Sequence, residues 1–247
     1  MILRAHELIL PGRLDHASLE LAPGQLTAIC GPNGAGKSSL LACLAGILTP
    51  VSGRVQLGET ELGVIPPRAR ARALGLLPQQ AEAAWDLSVE TLVGLGRLPW
   101  NQGAAVDRAA VDAALTAMQL DDLRQRPLSL LSGGQKARAM LARVLAGTPA
   151  WLLADEPLAN LDLAHQLALL AHLRSLAARG MGVVVVLHDL AQVMNHADMV
   201  AVMADGRLVL HGPPESVLSK TALREVWGID ARWLGEPGQR ALNARLT

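Results

Sequence analysis

The chain has 247 residues, enough to bury a full core in one large domain or two small lobes. Lysine and arginine total 22 against 22 aspartate and glutamate, so the formal net charge is zero and there is no electrostatic footprint for nucleic acid or the ribosome. Hydrophobic residues make up 51%, yet the longest aliphatic run, Val183 to Leu187, falls far short of the ~20 apolar residues that cross a bilayer.

The amino terminus, Met1-Ile2-Leu3-Arg4-Ala5-His6-Glu7, has no basic start leading into an apolar core and a small-residue cleavage site, so the chain is expected to stay in the cytoplasm. The two cysteines, Cys30 and Cys43, have neither metal-ligand spacing nor the density of a disulfide framework, and buried reduced thiols are expected. Phenylalanine and tyrosine are both absent, where roughly 15 together would be ordinary. Chance is a poor explanation for that absence, and it points to deliberate removal or design. Any role usually filled by tyrosine must be filled here by something else.

Residues 1 to 30 alternate short apolar stretches with turns at Leu10-Pro11-Gly12 and Ala22-Pro23-Gly24, as in a small β lobe. Leu26 to Cys30 reads as a short buried strand and Ser39 to Ala45 as a helix. Between them Gly31-Pro32-Asn33-Gly34-Ala35-Gly36-Lys37-Ser38 meets every fixed position of the G-x-x-x-x-G-K-[ST] phosphate loop. Its glycines let successive backbone N–H groups face a polyphosphate, and the following helix, from Ser39, adds the positive end of its dipole. Lys37 then reaches the β- and γ-phosphates and Ser38 offers a hydroxyl to Mg²⁺.

Further strands are expected at Arg54 to Gly58 and at Ala73 to Leu77, the second ending at Pro78-Gln79-Gln80. From about Leu87 to Gly147 the texture turns alanine- and leucine-rich, with Val106, Ala110, Ala113 and Ala117 predicted to line one helical face. Trp151 to Ala154 and Val183 to Leu187 are continuous apolar runs suited to parallel strands buried on both faces. Leu163, Leu167, Leu170, Leu173 and Leu176 recur between them at helical spacing. Met199 to Met203, Asp205-Gly206 and Arg207 to Leu210 predict a hairpin, and the remaining tail reads as Pro- and Gly-punctuated.

Leu131-Ser132-Gly133-Gly134-Gln135 resembles the signature motif of the ATP-binding-cassette family. Physically it is a second anion cradle, a hydroxyl and glycine-opened amides at a helix start. Trp151 to Ala154 followed by Asp155-Glu156 resembles the family's Walker B strand, with Ala154 in place of a larger aliphatic residue. A carboxylate at the end of a buried parallel strand can hold Mg²⁺ through water, the role of Asp155, and Glu156 can polarise the attacking water. Gln79 matches the family's Q-loop glutamine, which touches Mg²⁺, with Gln80 a competitor for that position. Ala159-Asn160-Leu161-Asp162 resembles the D-loop, and His188 matches the switch histidine.

The resemblance covers essentially the whole chain. It implies an α/β fold with a P-loop NTPase core of mainly parallel sheet, an antiparallel β lobe and an α-helical insert. The core is expected over 1–84 and 148–247, with the signature-bearing helical subdomain at 85–147. Finer texture, including Gly96-Arg97-Leu98-Pro99 and Leu223-Arg224-Glu225-Val226-Trp227-Gly228-Ile229, looks like the ATPase subunits of importers for iron-siderophore, haem or cobalamin. Such a resemblance implies ATP and Mg²⁺ bound by residues 31 to 38 with Ser39, and a head-to-tail homodimer in which Ser132, Gly133, Gly134 and Gln135 of one copy meet ATP held by the other. It also implies separate transmembrane permease subunits, indirectly a substrate-binding protein, a peripheral place on the cytoplasmic face of the inner membrane, and no nucleic acid. The alternatives are a nucleotide-driven clamp on nucleic acid or ribosomes and an inactive redesign. The family usually stacks adenine on a tyrosine in the first strands, where this chain reads Leu8 to Arg13. Arg13, lying over the base by cation-π contact, or Leu10, packing on it, is the expected substitute.

Overall fold

The computed structural model describes residues 1–79, 86–100, 102–159 and 161–246. The chain gathers into two compact units, Met1–Val64 with Leu170–Thr247, and Ile65–Leu169. The first opens on an antiparallel pair, β1 (Leu3–Leu10) and β2 (Leu14–Leu21). Their inward leucines and alanines alternate until Ala5 and then resume at Leu8, where the register shifts. Glu7 and His16 sit there at φ +48° and +54°, and these left-handed residues bring Leu8 opposite Ala17 with both buried. The Ser18 hydroxyl accepts the Glu7 N–H and donates to its carboxylate, which with His16 holds that carboxyl below the usual range. β3 (Leu26–Cys30) is buried at every position and leads into α1 (Lys37–Leu44). β4 (Ser52–Leu57) and β5 (Thr60–Glu61) complete an antiparallel sheet ordered β2-β1-β4-β5.

In the second unit α2 (Pro67–Ala73) runs straight into β6 (Leu74–Leu77), which pairs in parallel with β7 (Trp151–Asp155). Between these strands lie α3 (Val89–Gly94), α4 (Ala104–Ala117) and α5 (Gly133–Ala146). The inward face of α4 differs from the one its alanines suggested. Val111, Ala114 and Leu115 are buried with Met118 beyond them, whereas Val106, Ala113 and Ala117 are exposed. In an alanine-rich helix the few large aliphatics carry most of the burial energy and set the phase.

The Gly96-Arg97-Leu98-Pro99 stretch has a structural reason. A Cβ on Gly96 would collide with the Arg143 carbonyl of α5, so only glycine lets the two backbones meet. Buried Arg97 donates to Asp107 at 2.8 Å, to the Ala146 carbonyl at 3.0 Å and to Gln102 at 2.9 Å. Arg72 and Arg97 each lie 5.0 Å from the Trp100 ring centre, and the Trp100 indole donates to the Gly147 carbonyl. Trp100 is thus tied to its own unit.

α6 (Leu163–Ala178) buries Leu170 and Leu173 as expected but leaves Leu163 67% and Leu167 46% exposed, with Leu169 and Ala177 inward instead. β8 (Gly182–Val186), α7 (Leu190–His196), β9 (Met199–Ala204) and β10 (Arg207–Gly212) follow. In the first unit β3 pairs in parallel with both β8 and β9, and β9 turns back antiparallel into β10. Burial on all sides pushes the Cys30 thiol up to about 12 and raises that of Cys43, so both are inert packing residues. The tail holds more than turns: α8 (Pro214–Val217), α9 (Lys220–Trp227) and an antiparallel pair, β11 (Ile229–Leu234) and β12 (Ala241–Leu246). Ser219 caps the start of α9 and Gly228, at φ +67°, ends it, which accounts for the Trp-Gly-Ile texture.

The α4 phase is testable by denaturation. Leu115→Ala should cost about 2–5 kcal/mol, and Val106→Ala no more than about 0.5 kcal/mol.

Candidate functional site

β3 ends at Cys30, level with Val202 of β9, and the chain leaves it through Gly31 at φ +144°. A side chain at Gly31 would drive into the Met203 carbonyl, so that position is closed to anything larger than glycine. Gly34 and Gly36 take φ +79° and +92°, and α1 begins at Lys37. Among the described residues no side chain caps this helix, and no acidic residue stands in its first turn, which leaves its amides and dipole to an outside anion. Lys37 is only 6% exposed, and its ammonium donates to the carbonyls of Gly31 at 2.9 Å and Pro32 at 2.8 Å. The cation is fastened to the loop it serves. Asn33, Gly34 and Ser38 are exposed, Pro32 and Ser39 are half-buried, and Ala35 is buried.

His188 follows β8 in the same unit. Ile29 pairs with Val186, and Leu187 donates to the Ile29 carbonyl at 3.1 Å, so His188 and Gly31 leave adjacent parallel strands at their carboxyl ends. Asp189 caps α7 through Ala191 and Gln192, which keeps the connection short and His188 at the strand end. Arg13 is exposed, donates its N–H to the Leu10 carbonyl at 2.9 Å, and sets its own carbonyl against Gly36. The candidate adenine residue therefore stands beside the phosphate loop.

The second unit carries the acidic residues. Every residue of β7 is buried, ending at Asp155 with 8% exposure. Glu156 follows at φ +50°, a left-handed backbone that costs a non-glycine residue roughly 1–3 kcal/mol and that clusters at functional positions. Gln79, Asp155, Glu156, Gly133 and Lys136 line a single groove of about 210 Å³. Gln80 and Asn160 lie outside the described residues.

Ser132 caps α5 and shares a reciprocal capping box with Gln135: its hydroxyl accepts the Gln135 N–H at 3.3 Å, and the Gln135 side-chain carbonyl accepts the Ser132 N–H at 3.0 Å. The glutamine's part in this motif is to build the helix start, and the Ser132 hydroxyl still has its own proton to donate. Gly134 lies where a Cβ would sit 3.3 Å from the Leu161 side chain, too close for comfort. Asp162 caps α6, accepting the His165 N–H at 2.9 Å and meeting the ring Nδ1 at 2.8 Å, which holds its carboxyl below the usual range. Lys136 was missed by the motif reading. Its place one residue after the signature, three residues and so nearly one helical turn from Gly133 on α5, was the available signal.

The ABC transporter family matches residues 14–159, which hold the phosphate loop, the signature and Asp155-Glu156. The hemin import ATP-binding protein HmuV of Bordetella parapertussis is 44% identical over 234 residues, covering 91% of this chain and 89% of that protein. The protein of the same name from Pseudomonas entomophila is 44% identical over 88% of this chain and 87% of its own. A solved structure described as a metal-chelate type ABC transporter in an inward-facing conformation superposes with a TM-score of 0.83 at 25% identity, covering 98% of this chain and 96% of that one. With the loop, the signature helix and the acidic strand end all present in the family's order, this chain belongs to the ABC transporter family as one of its ATP-binding ATPases.

Proposed function

We propose that this chain is the ATPase subunit that energises import of a metal chelate, with hemin the first candidate and iron-siderophores and cobalamin behind it. The observation that carries this reading is the 44% identity to hemin import ATP-binding proteins across nine-tenths of the chain. Among the described residues no helix is long and apolar enough to cross a membrane, so we assign the transport path to separate permease subunits and this chain to the cytoplasmic membrane face. A substrate-binding protein would select the chelate.

Gly31 to Ser39 hold the triphosphate by backbone amides and the Lys37 ammonium. The hard oxygens of Ser38, Gln79 and buried Asp155 suit Mg²⁺, which when bound neutralises charge on the β- and γ-phosphates. Glu156 takes the proton of the attacking water, and His188 donates to the γ-phosphate as charge spreads over its oxygens. The signature residues Ser132 to Gln135 close on the ATP of a second copy, so that two ATPs hold the homodimer together and hydrolysis lets it open. Arg13 lies over the adenine by cation-π contact, Leu10 being the alternative.

Three outcomes are expected. Glu156→Gln should lower phosphate release by about 10²–10⁴ while retaining ATP and accumulating dimer on size exclusion; unchanged turnover would remove Glu156 from its role. Because a guanidinium over a purine discriminates poorly, competition binding should find ATP and GTP within about tenfold, and a strong ATP preference would overturn the Arg13 assignment. With the cognate permease reconstituted, hemin-loaded binding protein should stimulate phosphate release, whereas stimulation by none of the three chelates would overturn the importer reading.

A further inference from the structure

The phosphate loop is held from outside by a turn that no nucleotide motif includes. β9 runs beside β3, which sets Met203 against Gly31. The strand then ends in Asp205 at φ +49° and Gly206 at φ +78° before turning into β10. The Gly206 N–H donates to the Ala35 carbonyl inside the loop at 3.3 Å, and the Gly206 carbonyl accepts the Asp15 N–H of β2 at 2.9 Å. A Cβ on Gly36 would collide with the Arg13 carbonyl and would lie 3.5 Å from the Gly206 Cα. One on Gly206 would meet the Arg13 carbonyl at 3.0 Å and the Asp15 nitrogen at 3.2 Å. Three segments, 13–15, 31–36 and 205–207, thus meet backbone to backbone, with glycine the residue that fits at both contacts.

A side-chain pair closes this arrangement. The Arg207 guanidinium donates through Nε at 2.8 Å and through Nη2 to the same Asp15 oxygen. Both side chains are well exposed, at 63% and 45%, so the pair contributes little to folding by itself. Its position matters more. The ladder between β9 and β10 shifts register between Leu208 and Leu210, just past the turn, and the ion pair fastens the turn to β2 where the ladder is irregular.

We propose that the Asp205-Gly206 turn, latched by Asp15 and Arg207, holds the phosphate loop in its nucleotide-binding form. Asp15, Gly206 and Arg207 are positioning residues for ATP, acting through Ala35 and Gly36 rather than by touching the nucleotide. This rests on the reading that residues 31 to 38 hold ATP.

The test measures ATP Kd, KM and kcat together with the thermal midpoint for the full chain. Its variants are Lys37→Ala, Asp15→Ala, Arg207→Ala, the double alanine variant, Gly206→Ala and the charge swap Asp15→Arg with Arg207→Asp. Each single alanine variant of the pair should raise Kd and KM by about 3- to 10-fold with kcat held within about twofold, and the double variant should be no worse than either. The charge swap should restore affinity, and the losses in the single variants should come without a matching fall in the thermal midpoint, an outcome a merely structural role would not produce. Gly206→Ala should weaken ATP at least as much; if it fails to fold, the ion-pair variants decide. ATP affinity within about twofold of the parent across the pair variants, losses that follow the thermal midpoint, or no recovery of affinity in the swap would overturn the latch while leaving the loop reading intact. If the parent does not bind ATP, or Lys37→Ala binds it unchanged, the loop reading falls and the latch with it.

Discussion

The closeness with which bare backbone must approach bare backbone around residues 31 to 36 governs the first unit. Gly31 lies against Met203 and Gly36 against Arg13, and at neither place is there room for a Cβ. Peptide groups that close fix one another's orientation, which a flexible glycine loop cannot do alone. An anion cradle depends on N–H groups that are already aimed, because aiming them on binding would consume the binding energy. The buried strands β3, β8 and β9 supply the rigid frame, and Lys37, hydrogen-bonded to the carbonyls of its own loop, completes it.

The second unit meets a different demand, that of presenting acids and a cradle at the ends of buried elements. β7 buries its side chains up to Asp155 and then passes into the left-handed Glu156, a local cost carried by the surrounding strand pairing. Ser132 and Gln135 satisfy each other's backbone donors, so the start of the signature helix is fixed by its own residues. The Arg97 network and the close contact at Gly96 hold α5 at its far end.

Much of this was legible in the residues. The continuous aliphatic runs at Leu26 to Cys30, Trp151 to Ala154 and Val183 to Leu187 are buried strands within a residue or so of their expected ends. Strands buried on both faces read as such runs, and four or five residues are too few for an ordinary helix. Where the pattern carried less contrast it misled. Alanine in α4 is compatible with either face, so the phase followed Val111, Leu115 and Met118 instead, and the first two leucines of α6 point outward. The tail hid α9 and the β11–β12 pair because its elements are short and interrupted by Pro and Gly, although Ser219 and Gly228 mark the helix ends.

By itself the sequence determined the chemistry. Fixed spacings of Gly, Lys and Ser, of Ser-Gly-Gly-Gln and of Asp-Glu after an apolar run are local, and each motif needs only a strand or a helix beside it. Tertiary structure alone decided what holds those motifs still. Asp15 and Arg207 are 192 residues apart in the chain, and Gly206 reads in sequence as an ordinary hairpin turn until β9 is paired beside β3. A contact of that range leaves no periodicity to read, because its partners are chosen by strand order rather than by their neighbours.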